Sequence, residues 1–197
     1  MLTTYTGRNF DFNNITKDSI YIPDVLHALP SLNRFLGHSS RPYSVGEHTL
    51  RGYGMCMQLN YTPEQTLYWF IHDFTEAYVG DCPTPLKQLL PNFKEYEAQV
   101  EKAILEHLDL REPTEEEYNL VKRVDATMLV LEMRDLTLHD FANFITEDVY
   151  IGLLKDENHT ISDKEVYSAK HIEKVLKVAF NTLMTQVKGE DFECLEI

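Results

Sequence analysis

The sequence predicts an all-α protein, and three observations carry that prediction. Apolar residues recur at helical spacing through several long windows, of which Leu67, Phe70, Ile71, Phe74 and Ala77 form the clearest stripe. Capping residues stand in front of those windows: Ser44 three before Glu47, Thr62 three before Gln65, and Thr114 ahead of a run of glutamates. Only 8 Gly and 8 Pro occur in 197 residues, which leaves room for long uninterrupted helices.

Residues 1–23 are polar and aromatic without clear period and read as loops with short extended pieces. Asp24 is the expected N-cap of a short helix through Leu29, stopped at Pro30. After a loop containing Gly37 and Pro42, Ser44 caps a helix running to about Gln58, with Glu47 completing a capping box. Gly52 and Gly54 weaken the C-terminal half of that helix. Thr62, Pro63 and Gln65 open the next, which is expected to run unbroken to Gly80. DCPTPLKQLLP reads as a turn and a short helix, residues 93–108 as an amphipathic helix, and residues 114–136 as a longer one. A last helix is expected from Ser162 to about Val187. The chain as a whole reads as one domain over residues 1–197, with a core over about 24–136 and a C-terminal helical extension over 162–188.

Composition narrows the function. The apolar share, 43%, is that of a globular chain. With 18 Lys and Arg against 32 Asp and Glu, the formal charge is -14 and no basic stripe is visible, which speaks against a polynucleotide partner. A small phosphorylated substrate stays open, because one metal ion and a few pocket cations suffice to bind it. No apolar run approaches the roughly 18 residues of a membrane span, so no membrane partner is expected. The N-terminus lacks the basic and apolar regions of a secretory signal. Cys56, Cys82 and Cys194 are odd in number and widely spaced, which suits a reducing compartment and a cytoplasmic location.

The candidate chemistry sits on three expected helices. His48 lies in YSVGEHTL, His72 and Asp73 in WFIHDFTEAY, and Asp125 in VKRVDATMLVLE. Two imidazoles and two carboxylates make an N2O2 set that suits one divalent ion and leaves coordination positions open. A His-Asp pair amid Trp69, Phe70, Ile71 and Phe74 is costly to bury unless it has a partner, and Asp125 among Val121, Val124, Leu129 and Leu131 is equally out of place. Glu76 follows His72 by four and Asp73 by three, where a carboxylate can orient an attacking water or take its proton. Asp81, just past Gly80, is a candidate acid or substrate contact.

His…His-Asp…Asp with the pair on a helix resembles the HD-domain phosphohydrolase superfamily. HDFTEAYVGDCPTPLK is similar to the HDxxExxxGDxPTPxK string of its bacterial 5′-deoxynucleotidases. The stretch from TYTGRNFDF through DVLHALPSLNRFLGHSSRPYSVGEHTL looks like the branch that includes phage dATP triphosphohydrolases. The resemblance covers about residues 3–136. It implies metal ligation by His48, His72, Asp73 and Asp125, with Glu76 beside the attacking water and Asp81 near the scissile ester. It makes Arg34 a phosphate ligand and sets Phe35 where the deoxynucleotidases carry a sugar-packing Trp. Lys87 becomes a further phosphate contact, and His38 a phosphate or leaving-oxygen contact. The implied ion is Mn, Co, Fe, Ni or Zn, and the implied assembly is a homo-oligomer, dimer or hexamer. The implied reaction cleaves a 2′-deoxynucleotide at its 5′ phosphoester. The N-terminal likeness puts a dATP-type triphosphohydrolase first, a deoxynucleoside monophosphatase second and a non-catalytic nucleotide-binding regulator third. Arg41, Arg51 and Lys87 are the cations available for further phosphates.

Overall fold

The computed structural model describes residues 1–189, and Cys194 lies outside the described residues. The fold is all-α. Its helices are α1 (Ile22–Ala28), α2 (Val45–Gln58), α3 (Pro63–Ile71), α4 (Glu76–Val79), α5 (Thr84–Lys87), α6 (Phe93–His107), α7 (Glu115–Leu136) and α8 (Ala169–Lys188). The N-terminal segment folds into a minimal antiparallel pair, β1 (Leu2–Thr3) and β2 (Asn9–Phe10), with Leu2 opposite Phe10.

Helix α3 is the centre of the molecule. It packs against α2, α7 and α8, and every residue from Thr66 to Ile71 is buried. Phe70 and Phe74 join one apolar cluster with Val25, Leu26, Val100, Ile104, Leu176 and Phe180. Trp69, on the other side of the helix, joins a second cluster with Tyr43, Met55, Val124, Met128 and Leu131. A helix that is apolar all round belongs inside, and this one leads the two residues that follow it, His72 and Asp73, into partly buried positions.

The local signals held at three starts. Ser44 Oγ accepts from the Glu47 amide, and Thr62 and Thr114 close reciprocal capping boxes with Gln65 and Glu117. Four expectations need correction. The first helix begins at Ile22 with Pro23 in its first turn, because the Asp24 carboxylate is taken by the Thr4 hydroxyl (2.6 Å) and by the amide and hydroxyl of Thr6 (2.9 and 2.8 Å). Glu47 makes no reciprocal box, since its carboxylate is held by Arg41 and Arg51. The last helix starts at Ala169, capped by Ser168 onto the His171 amide, whereas Ser162 Oγ closes a turn onto Lys164.

The fourth correction matters most. The expected helix to Gly80 breaks after Ile71. Its hydrogen bonds tighten to i→i−3 at His72 onto Trp69, Phe74 onto Ile71, Glu76 onto Asp73 and Ala77 onto Phe74. The His72 ring contributes to this break: its Nδ1 donates to the Trp69 carbonyl at 2.5 Å, alongside the His72 amide.

Gly52, an apparent flaw in α2, is required by packing. A Cβ there would meet the Trp69 ring at 1.9 Å, while the indole Nε1 donates to the Thr49 carbonyl at 3.0 Å and pins the ring in place. Gly52→Ala is expected to cost about 1–3 kcal/mol by overpacking, read as a lower urea midpoint with an unchanged slope. Gly54, where a Cβ meets nothing within 4 Å, is the control.

At the start of α7, Glu117 accepts from both terminal nitrogens of Arg111 (2.7 Å each) and from the Thr114 amide at 2.7 Å. The Arg111 hydrogen bonds, with Thr114 adding and partial burial opposing, bring its carboxyl down to about 2. A carboxyl depressed by folding contributes stability that is complete above its unfolded value and is lost as pH falls through the folded one. Glu117→Gln should therefore lower Tm at pH 7, and the gap to wild type should close between about pH 5 and pH 2. Thermal melts across that range check it. The effect will be modest, because the Arg111 side chain is half exposed.

Candidate metal centre

Three packed helices deliver the site. His48 projects from α2 and is fully buried, His72 and Asp73 come from the break after α3, and Asp125 reaches in from α7. His48 Nε2 lies 3.5 Å from Asp73 Oδ2 and 3.5 Å from Asp125 Oδ1, and His72 Nε2 lies 3.2 Å from Asp73 Oδ1. Ligand atoms of His48, His72 and Asp73 all fall within 4.8 Å of one another, a group that can hold a metal ion; Asp125, the fourth expected ligand, is half exposed, approaches His48 and stands outside that group.

Both imidazoles are preset for that task. His48 Nδ1 stands 2.6 Å from Glu132 Oε1 and His72 Nδ1 stands 2.5 Å from the Trp69 carbonyl oxygen. Each partner only accepts, so each Nδ1 carries the proton and each Nε2 presents its lone pair to the cluster. His48 Nε2, His72 Nε2 and Asp73 Oδ2 are buried polar atoms without a hydrogen-bond partner. Such atoms are costly to leave unsatisfied, and a cation among them satisfies all three. The C-terminal end of α3, with its partial negative charge, favours a cation at the same place. The residues present therefore fit a divalent metal ion.

Glu132 is the functional residue that sequence reasoning missed. It lies seven residues, two helical turns, beyond Asp125 on α7 and is fully buried. One carboxylate oxygen accepts from His48; the other accepts from Arg34 Nε at 3.1 Å and lies 3.0 Å from Arg34 Nη2. Burial raises its pKa, but Arg34 and His48 outweigh burial and hold it below the usual carboxylate range. The available signal was a lone charge in the apolar run LVLEM, in phase with Asp125.

Arg34 extends this network, its Nη1 lying 3.7 Å from Asp73 Oδ2. Burial opposes its charge, yet Glu132, then Asp73 and Asp125, raise its pKa above the ordinary guanidinium value. Asp73 is pushed up by burial and pulled further down by His72, His48, Arg34 and Lys87. For Glu76, burial first and then Asp73 and Asp81 lift the carboxyl to about 9, against Arg34 and Lys87. Its Oε2 is buried and without a hydrogen-bond partner. Asp81 is raised by burial and by Asp73, with Arg34, Lys87 and His48 opposing, so it shares the same field.

The remaining expected contacts divide. Lys87 senses Glu76 and Asp73 but donates to Glu97 at 2.6 Å. Phe35 follows Arg34 in the left-handed region (φ 57°), and its ring stands 5.5 Å from the Arg34 guanidinium carbon. His38 is exposed at the end of the same turn, and among the described residues its side chain has no hydrogen bond or ion pair to the cluster. Arg41 and Arg51 are not available for phosphates. Arg41 forms a buried two-pronged pair with Glu47 at 2.8 and 2.7 Å, and Arg51 joins the same carboxylate at 2.9 Å.

Fold and site together define the class: an all-α protein whose central helix ends in a His-Asp group that can hold a metal ion. No family model matches the chain. It is 38% identical to the uncharacterized protein YfdR of Escherichia coli (strain K12) over 140 residues, which cover 71% of this chain and 74% of YfdR. The chain belongs to the YfdR family. Among the described residues, no helix is long and apolar enough to cross a membrane.

Proposed function

We propose that this protein is a metal-dependent phosphohydrolase that cleaves 2′-deoxynucleotides at the 5′ phosphoester, with His48, His72, Asp73 and Asp125 as the ligands of one divalent ion. The observation that carries the reading is the pair of imidazole Nε2 atoms and the Asp73 oxygen, buried together without hydrogen-bond partners. When bound, such an ion supplies Lewis-acid polarisation of a phosphate oxygen and lowers the pKa of a coordinated water. His and carboxylate ligands suit Mn, Co, Fe, Ni or Zn.

The chain's own residues carry the rest. Glu76, with its unpaired Oε2, orients the attacking water and takes its proton as the water oxygen bonds to phosphorus. Burial first, and then the charge of Asp73, raise its pKa, and a cation held on Asp73 would offset the second of these. The P–O5′ bond breaks, and Asp81, whose carboxyl burial and Asp73 push above its ordinary value, is the proposed proton donor to O5′. Arg34, fixed by Glu132, offsets charge on the phosphate oxygens. The products are deoxynucleoside and the released phosphate group.

One observation bears on the length of the phosphate chain. Arg34 and Lys87 are the cations whose charge acts on both Asp73 and Glu76, each already facing a glutamate, while Arg41 and Arg51 are committed to Glu47 and Lys122 lies on the far side, beside Asp125. That supply suits a monophosphate better than a triphosphate, which reverses the preference drawn from the N-terminal likeness. Purified protein incubated with each dNMP and dNTP in Mn or Co, with products separated chromatographically, tests the reading. Deoxynucleoside and orthophosphate from dNMPs are expected. Triphosphate from dNTPs would reverse the substrate preference, and binding without any product would overturn the hydrolase reading.

A further inference from the structure

A cavity of about 230 Å³ opens beside the cluster, between α3, α6 and the first turns of α7. Of the candidate site residues only His72 and Asp125 line it; Arg34, Glu76, Asp81 and Lys87 do not. The cavity therefore continues the cluster on a side free of the phosphate-directed cations. Its walls include Ile71, Ile104 and Val121, with the rings of Tyr68 and Tyr118. One cation, Lys122, also lines the cavity, but its side chain is 60% exposed and its ammonium lies 3.8 Å from Asp148, so the apolar and aromatic walls chiefly suit a flat, weakly polar ring.

The two tyrosines differ in a way that fits such a ring. Tyr68 is buried and its hydroxyl is fixed on the Arg111 carbonyl at 2.9 Å, so it forms part of the rigid wall. Tyr118 is 61% exposed, one of the more open large side chains of the molecule, and a planar ligand lying in the cavity would cover it. Glu101 completes the lining with a carboxylate that has no hydrogen-bond or ion-pair partner among the described residues. It offers two acceptor oxygens to the edge of a heterocycle.

We propose that this cavity holds the nucleobase of the substrate, with Tyr118 stacking on its face and Glu101 meeting its polar edge. The proposal rests on the hydrolase reading for its choice of ligand and sets that ligand's orientation: base between α3, α6 and α7, phosphate toward Arg34.

Calorimetry with the four deoxynucleosides, which carry no phosphate, tests the cavity without requiring turnover. Wild-type protein is expected to bind at least one of them, and Tyr118→Ala to weaken that binding about tenfold, a typical stacking contribution. Glu101→Gln, an exposed substitution that leaves packing alone, is expected to alter the order of preference among the bases. In turnover assays Tyr118→Ala should lower the ratio of kcat/KM for deoxynucleotide to that for ribose 5-phosphate at least fivefold. Deoxynucleoside binding that both variants leave unchanged, or no binding by the wild type at millimolar ligand, would overturn the proposal. If no phosphoester is hydrolysed but deoxynucleosides bind and Tyr118→Ala weakens them, the hydrolase reading falls and the base pocket stands.

Discussion

Asp73→Ala and His72→Ala should each abolish the stabilisation that Mn or Co gives the wild-type protein, and should lower turnover at least a thousandfold. A ligand that binds only the folded state stabilises it by about 2.7 kcal/mol at a hundred times its Kd, so the wild type should show a clear rise in Tm when the ion is added. Removing either side chain takes away one of the atoms that lie within 4.8 Å of each other, and with it that rise. The metal-free variants should melt close to metal-free wild type. Each deletion removes a buried atom that has no hydrogen-bond partner, His72 Nε2 or Asp73 Oδ2, which offsets the loss of the His72 contacts with Trp69 or of the Asp73 ion pair with Arg34. Melting with and without the ion separates loss of the site from loss of the fold. Variants that still rise in Tm with the ion would show that it binds elsewhere.

Glu132 should produce the second large effect, divided between two substitutions. Glu132→Leu leaves Arg34, with a side chain only 12% exposed, facing no partner but Asp73 at 3.7 Å, and leaves His48 Nδ1 without an acceptor. Removing one member of a buried ion pair costs about 3–5 kcal/mol, so this variant should be strongly destabilised. Glu132→Gln keeps an acceptor for His48 and most of the shape while losing the charge. Its stability should fall much less, yet its metal affinity should drop about 10–100-fold, the usual cost of disturbing the residue behind a ligating histidine. Urea denaturation and competition with a chelating dye measure the two quantities separately. A Gln variant with wild-type metal affinity would reduce Glu132 to a structural pair for Arg34.

The sequence made most of the helices and the group of His48, His72 and Asp73 legible through local chemistry. Ser44, Thr62 and Thr114 cap because their hydroxyls need only a backbone amide three residues ahead. His72, Asp73 and Asp125 stood out because charge in an apolar stretch demands a partner. Much of what escaped notice depends on contacts that helical spacing does not reveal. Asp24 carries the signature of a helix cap but spends its oxygens on Thr4 and Thr6, some twenty residues earlier. Ser162 resembles Ser168 as a cap, and nothing short-range separates them. The break after Ile71 comes from a side chain competing for the Trp69 carbonyl, inside a stripe whose periodicity continues undisturbed. Glu132 meets Arg34 across 98 positions, and the commitment of Arg41 to Glu47 is likewise set by folding rather than by helical spacing.

His48, His72, Asp73 and Asp125 are proposed to grip one divalent ion. Equilibrium dialysis of the purified chain against Mn or Co, followed by elemental analysis, tests this without any assumption about substrate. One ion per chain is expected for the wild type, and none for a His72→Ala, Asp73→Ala double variant that remains folded by circular dichroism. Equal metal content in the two proteins, or none in either, would contradict the account.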